Sequence, residues 1–191
     1  MNELKTNHSP PLLEIIDLDG KDGQVLKKLE LRKFSEDEYH AFFQGYQSDP
    51  MMGNNQFVYN KEQISRSYAY NHDKNREDYA HYGIFLDGIP IGSFQLKRID
   101  RAKKCCEFGI ILQNNDVKNC GIGTEAIRLG MKEAHDLFHM EKIYGDTMKR
   151  NLRMQRVFDK LDFHLIEVIP DAFELSDGSK EDRLVYEKTL K

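Results

Sequence analysis

Two glycines stand directly before the longest helical pattern of the sequence, in the run Gly121-Ile122-Gly123-Thr124. Glycines let a backbone turn its N–H groups towards an anion without obstruction by Cβ, and a helix N-terminus adds about half a positive charge. The spacing predicts an anion site whose natural ligand is a pyrophosphate, with a tight turn that binds nothing as an equal alternative. The loop is not a Walker loop, because GxxxxGK[ST] is absent, and it is not GxGxxG, because Ala126 takes the last position.

The elements beside this loop must place it between a strand and a helix. Upstream, alternating segments at His81–Leu86, Ile89–Ile99 and Cys105–Leu112 predict a three-stranded β-meander, and Asp87-Gly88 is a strong hairpin signal within it. Downstream, apolar residues at a spacing of about 3.6 predict a helix over 123–138.

The rest of the pattern predicts a single layered domain of the mixed α/β class. Ahead of the meander we expect a hairpin of Leu12–Leu18 with Val25–Arg32, then a helix that begins after the capping residue Ser35 and a second helix over 61–71. After the long helix we expect a strand over 143–148, a helix over 152–161, a strand over 163–169, a loop over Pro170–Asp182 and a final strand. The resulting order is β-α-α-β-β-β-α-β-α-β-β, after the first arm of the hairpin.

Length, charge and cysteine content narrow the class of protein. The 191 residues are typical of one domain, and 28 Lys and Arg against 32 Asp and Glu give a net charge of −4, which disfavours nucleic-acid binding as the main function. No apolar run reaches the ~20 residues of a membrane span, so we expect a cytoplasmic protein that does not bind membranes. We expect residues 1–11 to form a flexible tail and residues 12–191 a single domain. The cysteines Cys105, Cys106 and Cys120 have neither a disulfide nor a zinc spacing, and no metal site is expected.

Two motifs carry a family resemblance. The segment Lys118-Asn119-Cys120-Gly121-Ile122-Gly123 resembles the signature Q/R-x-x-G-x-G/A of the GNAT superfamily of acetyl-coenzyme A dependent N-acyltransferases, with Lys in place of Gln or Arg. The segment from Asn151 to Phe163 is similar to the family's N-x-x-[S/A]-x-x-[L/V]-[Y/F]-E-K-x-G-F motif. The order of elements over residues 25–190 resembles most the branch that contains ribosomal-protein alanine and spermidine N-acetyltransferases.

The resemblance implies the GNAT fold, which is a single mixed and mostly antiparallel sheet with a central pair of splayed parallel strands and about four flanking helices. The parallel strands would be 105–112 and 143–148, with the helix over 123–138 as their crossover. It also implies acetyl-CoA as the cosubstrate and coenzyme A as product. The implied contacts are backbone pairing with the pantetheine arm at Ile110, Ile111 and Leu112, pyrophosphate binding at Lys118, Asn119, Cys120, Gly121, Ile122, Gly123 and Thr124, and further cofactor contacts at Asn151 and Phe158.

The reaction requires a proton acceptor, because an alkylamine with a pKa of ~10.4 is almost wholly protonated at neutral pH. Glu107 is the first candidate, since it lies on the strand beside the implied slot, where members of the family often carry a carboxylate. A surface glutamate paired across the sheet with Lys or Arg is an equal alternative. Asp146 on the neighbouring strand is the reserve candidate, with a solvated carboxylate at the strand edge as the favoured alternative.

The departing thiolate benefits from a proton donor. The family's usual donor is a Tyr, where this chain has Phe158, and a branch member can use a Ser, where this chain has Met154. Tyr144, another side chain or solvent would then protonate the thiolate. Cys120 could form a covalent acyl-cysteine, but the resemblance favours direct transfer in a ternary complex, which is the usual mechanism of the family.

The acceptor is expected to be an amine on a small molecule or a peptide. The resemblance implies that the loops Gln44–Tyr59 and Pro170–Asp182 wall the acceptor channel. Acidic residues in the second loop would attract a cationic amine such as a polyamine, an aminoglycoside or a peptide N-terminus. A solvated charged loop is the alternative interpretation.

Three hypotheses follow. The first is an acetyl-CoA dependent N-acetyltransferase that transfers acetyl directly to a primary amine. A homodimer is compatible with this hypothesis. The second is a non-catalytic acyl-CoA binding or sensing protein of the same fold, which the absent donors motivate. The third is a nucleotide-binding regulatory protein unrelated to coenzyme A.

Overall fold

In the computed structural model, residues 12–17, 26–49, 52, 56–114 and 120–191 are described. The expected tail over 1–11, the turn of the first hairpin and residues 115–119 lie outside these ranges. The elements are β1 (Leu12–Asp17), β2 (Leu26–Arg32), α1 (Glu36–Gln44), α2 (Lys61–Asn71), β3 (Tyr79–Leu86), β4 (Ile89–Asp100), β5 (Cys105–Leu112), α3 (Ile122–Asp136), β6 (Lys142–Met148), α4 (Leu152–Lys160), β7 (His164–Glu174) and β8 (Lys180–Thr189).

The strands form one sheet in the order β1-β2-β3-β4-β5-β6-β8-β7. Among the strand pairs, β5 with β6 is parallel and the others are antiparallel. Two parallel neighbours need a crossover, and α3 supplies it. The expected fold class, a mixed and mostly antiparallel sheet with a central parallel pair and four helices, is therefore confirmed.

Helices cover both faces of the sheet. On one face, α3 and α4 pack on a core that includes Phe94, Phe108 and Phe158. On the other face, α1 and α2 enclose a smaller, mostly aromatic cluster of Phe34, Tyr39, Phe42, Ile64 and Phe85. Because side chains alternate along a strand, successive residues of β5 contribute to opposite faces.

The helix start expected at Ser35 is confirmed as a complete capping box. The Ser35 hydroxyl accepts a hydrogen bond from the backbone N–H of Glu38, and the Glu38 carboxylate accepts one from the backbone N–H of Ser35. The same carboxylate accepts two hydrogen bonds from Arg32 at 2.7 and 2.9 Å. This pairing with Arg32 is the main reason why the pKa of Glu38 is lowered to about 2.

The prediction of a loop over Pro170–Asp182 is wrong for most of these residues. Strand β7 continues to Glu174 and β8 already begins at Lys180. Pro170 is tolerated because it lies in an irregularity of the pairing between Ile169 and Phe173, on the strand at the edge of the sheet. Proline lacks an N–H, and an edge strand with a bulge is where that loss costs little.

Candidate active site

Strands β5 and β6 diverge after only three paired positions. The pairs are Cys105 with Lys142, Cys106 with Ile143 and Glu107 with Tyr144. Beyond them β5 continues to Leu112 against β4, and β6 continues to Met148 against β8, without further pairing of these two described strands to each other. The expected splay of the parallel pair is therefore present.

Close packing below the fork accompanies this divergence. Gly145, the first residue of β6 past the last pair, lies directly against the rings of Phe108 and Phe158. A Cβ atom at this position would overlap both rings. Two bulky aromatic side chains can thus fill the core directly beneath the point where the strands separate.

A cleft of about 510 Å³ opens where the strands separate. Its lining comes from both faces of the sheet. On the side of α3 and α4 it includes Leu112, Gly121, Gly123, Thr124, Asn151 and Met154, and on the side of α1 it includes Tyr46, Asp49, Lys97, Gly109 and Asp146. The cleft therefore gives two molecules access to one place from opposite sides.

The N-terminus of α3 differs from those of α1, α2 and α4. Ser35, Asn60 and Asn151 each cap their helix with a side-chain oxygen. The capping position of α3 is Gly121, which has no side chain to offer and adopts a left-handed backbone with φ of 83°. Among the described residues no side-chain oxygen caps α3, so its first N–H groups are suited to an anion in the cleft, where the helix dipole favours one.

The segment after α1 reaches across the cleft to the start of α4. The Arg153 guanidinium pairs with the Asp49 carboxylate at 2.5 Å. The Asn151 side chain accepts a hydrogen bond from the backbone N–H of Met154 and donates a weak one to the sulfur of Met52 at 3.6 Å. These contacts place the expected cofactor ligand Asn151 at the cleft, with its orientation fixed by the helix cap.

Most of the sequence-predicted cofactor residues that the structure describes line this cleft, namely Ile110, Ile111, Leu112, Gly121, Gly123, Thr124 and Asn151. Cys120 is exposed beside it. The side chain of Ile122 lies in the core and only its backbone is near the cleft. Lys118 and Asn119 lie outside the described residues.

Phe158 does not line the cleft. Its ring is completely buried and stacks on Tyr186 with 4.2 Å between the ring centroids. The expectation that Phe158 contacts the cofactor is therefore corrected for the ring, which belongs to the core behind the cleft wall. Met154, by contrast, lines the cleft but offers no proton.

The two sequence-predicted catalytic residues form the last pair before the fork and point to the face of the sheet opposite Phe108. Glu107 and Tyr144 line a smaller adjoining pocket of about 270 Å³ between β5, β6, β7 and β8. Glu107 is paired with Arg98 at 2.5 Å, which is the cross-strand ion pair considered as its alternative. Asp146, held by Arg183 at 2.9 Å, lines both this pocket and the larger cleft.

The hydroxyl of Tyr144 is engaged by a carboxylate. Its hydrogen bond to Glu187 is the main cause that raises the pKa of Tyr144 to about 12. A thiol has an ordinary pKa of ~8.5, so proton transfer from such a tyrosine to a thiolate is strongly uphill. Tyr144 is thus poorly suited to protonate a departing thiolate.

Of the two loops expected to wall the acceptor channel, the first lines the cleft and the second does not. From the first loop, Tyr46, Gln47, Asp49 and Met52 line the cleft. No residue of Pro170–Asp182 lines the cleft or the smaller pocket, and its Asp182 pairs instead with Lys149 at 2.9 Å. The expectation of an acidic second wall is therefore corrected: these acids bind residues just before α4, where Glu181 accepts a hydrogen bond from the backbone N–H of Arg150 at 3.1 Å.

Lys97 is a cleft residue that the sequence reasoning missed. It lies on β4 opposite Glu107, and the alternation of that strand places it on the same face as Glu107. The signal available in the sequence was this alternation together with Gly109, but the register that brings the two residues together is a tertiary property.

A strand fork, an open helix N-terminus beneath it and a cleft reached from both faces define the acyl-CoA dependent transferase fold implied by the motifs. The model of the acetyltransferase (GNAT) domain family matches residues 28–164. The chain therefore belongs to the GNAT acetyltransferase family, whose members are enzymes of the acyltransferase class.

Solved structures of similar fold include three acetyltransferases. The spermidine N-acetyltransferase from Vibrio cholerae, in complex with CoA and spermine, is 14% identical with a TM-score of 0.73, over 85% of this chain and 95% of that one. The ribosomal-protein alpha-N-acetyltransferase RimL, in complex with coenzyme A, is 19% identical with a TM-score of 0.71, over 93% and 98%. The microcin self-immunity acetyltransferase MccE, in complex with acetyl-CoA and AMP, is 19% identical with a TM-score of 0.71, over 84% and 92%.

No curated protein matches the sequence. Among the described residues, no helix has the length and apolar character needed to cross a membrane.

Proposed function

We propose that this protein is an N-acetyltransferase that moves an acetyl group from acetyl-CoA directly to a primary amine within a ternary complex. The observation that carries the proposal is the cleft at the fork of β5 and β6, which is lined from both faces of the sheet. Such a passage lets an amine approach a bound thioester from the side opposite the cofactor, so no covalent enzyme intermediate is required.

The residues of the α3 face fit a coenzyme A molecule. The backbone of Ile110, Ile111 and Leu112 would pair with the amides of the pantetheine arm, because the β6 side of β5 is unpaired there. The N–H groups of Ile122, Gly123 and Thr124 would hold the pyrophosphate, together with Lys118, Asn119 and Cys120, which precede them in the sequence. Acetyl-CoA supplies the activated acyl group when bound.

The chain must also remove a proton from the attacking amine. Glu107 remains our first candidate for the acceptor, with Asp146 as the second. Both are held by an arginine, Arg98 and Arg183 respectively, and both border the smaller pocket next to the fork. Asp146 also borders the main cleft, so either the carboxylate itself or a water molecule on it can receive the proton.

The acceptor is proposed to be a primary amine on a small molecule or at a peptide N-terminus. Two of the similar enzymes are named for a ribosomal protein and for spermidine as acceptors, which are the two kinds of amine in question. In this chain the cleft acids Asp49 and Asp146 are each neutralised by an arginine. These two carboxylates therefore give the cleft no strong net negative charge that would attract polycations.

A non-catalytic acyl-CoA binding protein is the second candidate, and specific residues favour it. The family's usual donor position holds the buried Phe158, Met154 has no exchangeable proton, and the hydroxyl of Tyr144 is bound to Glu187. Binding and sensing require the cofactor face of the cleft alone.

The first experiment is a calorimetric titration with acetyl-CoA, followed on the same sample by thiol release against polyamines, aminoglycosides and N-terminal peptides. Binding with amine-dependent thiol release supports the enzyme and identifies its acceptor class. Binding without thiol release across the panel favours the sensing protein. Absence of binding, or tighter binding of ATP or NAD, overturns both candidates in favour of a nucleotide-binding regulator.

A further inference from the structure

Lys97 reaches the fork from a neighbouring strand. It lies on β4, where its backbone partner on β5 is Glu107, the last residue before the strands separate. The Nζ and Cε atoms of Lys97 are both 3.5 Å from the position that a Cβ atom would take on Gly109. The ammonium group therefore lies over the second residue of β5 past the fork, and both residues line the cleft.

The absence of a side chain at residue 109 gives Lys97 this path. Cβ alone would be in ordinary contact with the lysine, but a longer side chain on this face would occupy the space in which the lysine crosses β5. Lys97 is half-buried, so its stem is packed while its charged end stays at the cleft. The pair of Lys97 and Gly109 thus directs one cation to the part of β5 that has no strand partner on the β6 side.

The charge of this cation is not neutralised within the described part of the chain. The carboxylates around the cleft are engaged elsewhere, Glu107 by Arg98, Asp146 by Arg183 and Asp49 by Arg153. Lys97 itself has no ion pair among the described residues. It is a cation aimed at a reaction site that lacks the tyrosine or serine donor expected of the family.

We propose that Lys97 stabilises the thiolate of coenzyme A at the fork by its positive charge and a hydrogen bond to sulfur. This inference rests on the proposed function and deepens it. The amine nitrogen forms its bond to the acetyl carbon, the carbon–sulfur bond breaks, and its electron pair stays on sulfur. The proton lost by the amine goes to a carboxylate or to water, while Lys97 keeps its own protons and donates a hydrogen bond.

The titratable and charged groups near Lys97 come from each neighbouring element. They are Tyr79 on β3, Arg98 on β4, Glu107 on β5, Tyr144 and Asp146 on β6, Arg183 on β8, Arg153, Arg156 and Lys160 on α4, and Tyr46 and Asp49 after α1. Burial raises the pKa of both Tyr79 and Tyr46 above the ordinary value, to about 12 for Tyr79, so both stay neutral at moderate pH. The acids Glu107, Asp49 and Asp146 are each paired with an arginine. The CoA thiol, whose ordinary pKa is ~8.5, is then the group proposed to contact Lys97 whose charge changes in this pH range.

The test compares the binding of CoA, whose sulfur can ionise, with that of acetyl-CoA, whose sulfur cannot. In calorimetric titrations from about pH 7 to about pH 9.5, we expect the affinity for CoA relative to acetyl-CoA to rise about tenfold in the native protein, as for a thiol pKa lowered by about one unit. Thiolate absorbance in the ultraviolet should appear at a correspondingly lower pH for bound than for free CoA. Lys97→Met should remove both effects, and Lys97→Arg should retain them.

Lys103→Met is the matched control, because it removes the same charge from the exposed turn after the same strand. It should leave the CoA to acetyl-CoA ratio unchanged at every pH. A ratio in Lys97→Met that rises with pH as in the native protein overturns the inference about Lys97 while the proposed function stands. Failure of the native protein to bind acetyl-CoA would instead overturn the proposed function and this inference with it.

Discussion

A carboxylate placed at Gly123 should expel the cofactor without harming the fold. Gly123 is the second residue of α3, it lines the cleft, and its backbone N–H is one of those proposed to hold the pyrophosphate. A Cβ at this position would meet only the Cδ1 atom of Leu112, at 3.8 Å, which is ordinary contact. Gly123→Glu can therefore be built without a steric clash, and its side chain would carry negative charge into the proposed anion site.

The magnitude follows from elementary electrostatics. Two unit charges ~4 Å apart repel by about 4 kcal/mol at an effective dielectric constant of ~20. Solvent at this half-buried position screens part of the repulsion, so we expect a loss of affinity for CoA of about 100-fold, equivalent to about 2.8 kcal/mol. Folding should not suffer, because an acid in the first turn favours the helix by about 0.3–1 kcal/mol and the cost of a helical glycine is removed.

Calorimetry with CoA measures the affinity, and thermal unfolding without ligand measures the stability. Gly123→Ala should bind within a few-fold of the native protein, since it adds a methyl group without charge. Lys132→Glu, on an exposed position of the same helix, changes the net charge by more but should leave affinity nearly unchanged. A well-folded Gly123→Glu protein with native affinity would refute the assignment of the α3 N-terminus to the pyrophosphate.

Three further predictions concern the fork and the first helix. Thiol release across pH in Glu107→Gln and Asp146→Asn should show which carboxylate accepts the proton. The variant that lacks the acceptor should lose at least tenfold in kcat with little change in CoA affinity, and native rates in both variants would exclude a direct role for either carboxylate. Gly145→Ala should destabilise the protein by about 1–3 kcal/mol in chemical denaturation, because its Cβ overlaps two aromatic rings, and an unchanged midpoint would contradict that packing. The pKa of Glu38 is lowered to about 2 by Arg32, so its contribution to stability is complete above its unfolded pKa of ~4.3 and is lost as pH falls from there towards 2. Arg32→Met should flatten this part of the stability curve in acid titrations of the melting temperature, whereas an unaltered curve would show that another group controls it.

Local chemistry predicted the elements of this fold better than their register. Three local signals are found where expected, and each depends on interactions within a few residues. They are the capping residue Ser35, the hairpin signal Asp87-Gly88 and the apolar stripe after Gly121. Pro170 led to the wrong prediction of a loop. A strand at the edge of a sheet tolerates proline, but the position of a strand at the edge cannot be recognised from local sequence.

The same limit applies to the candidate site. Gly121 and Asn151 could be found because motifs of adjacent residues carry them, and both line the cleft. Lys97 could not be found in that way. Its distance to Gly109 depends on the pairing of β4 with β5, so the two residues have no relation that can be recognised from sequence spacing alone.

The fork itself explains why the cleft is suited to a pantetheine arm. On β5, residues 108–112 are paired to β4 along one edge, while the other edge no longer meets β6. Backbone N–H and C=O groups are obligatory hydrogen-bonding groups, and leaving them unpaired away from water is costly. They must therefore be satisfied by water or by a ligand that offers amides along the direction of a missing strand. A pantetheine arm has two amides in an extended chain, so its binding there, as proposed, would replace the lost pairing of the sheet. The positive end of α3 lies at one end of that line and Lys97 lies at the fork, so phosphate and sulfur would each meet a positive charge.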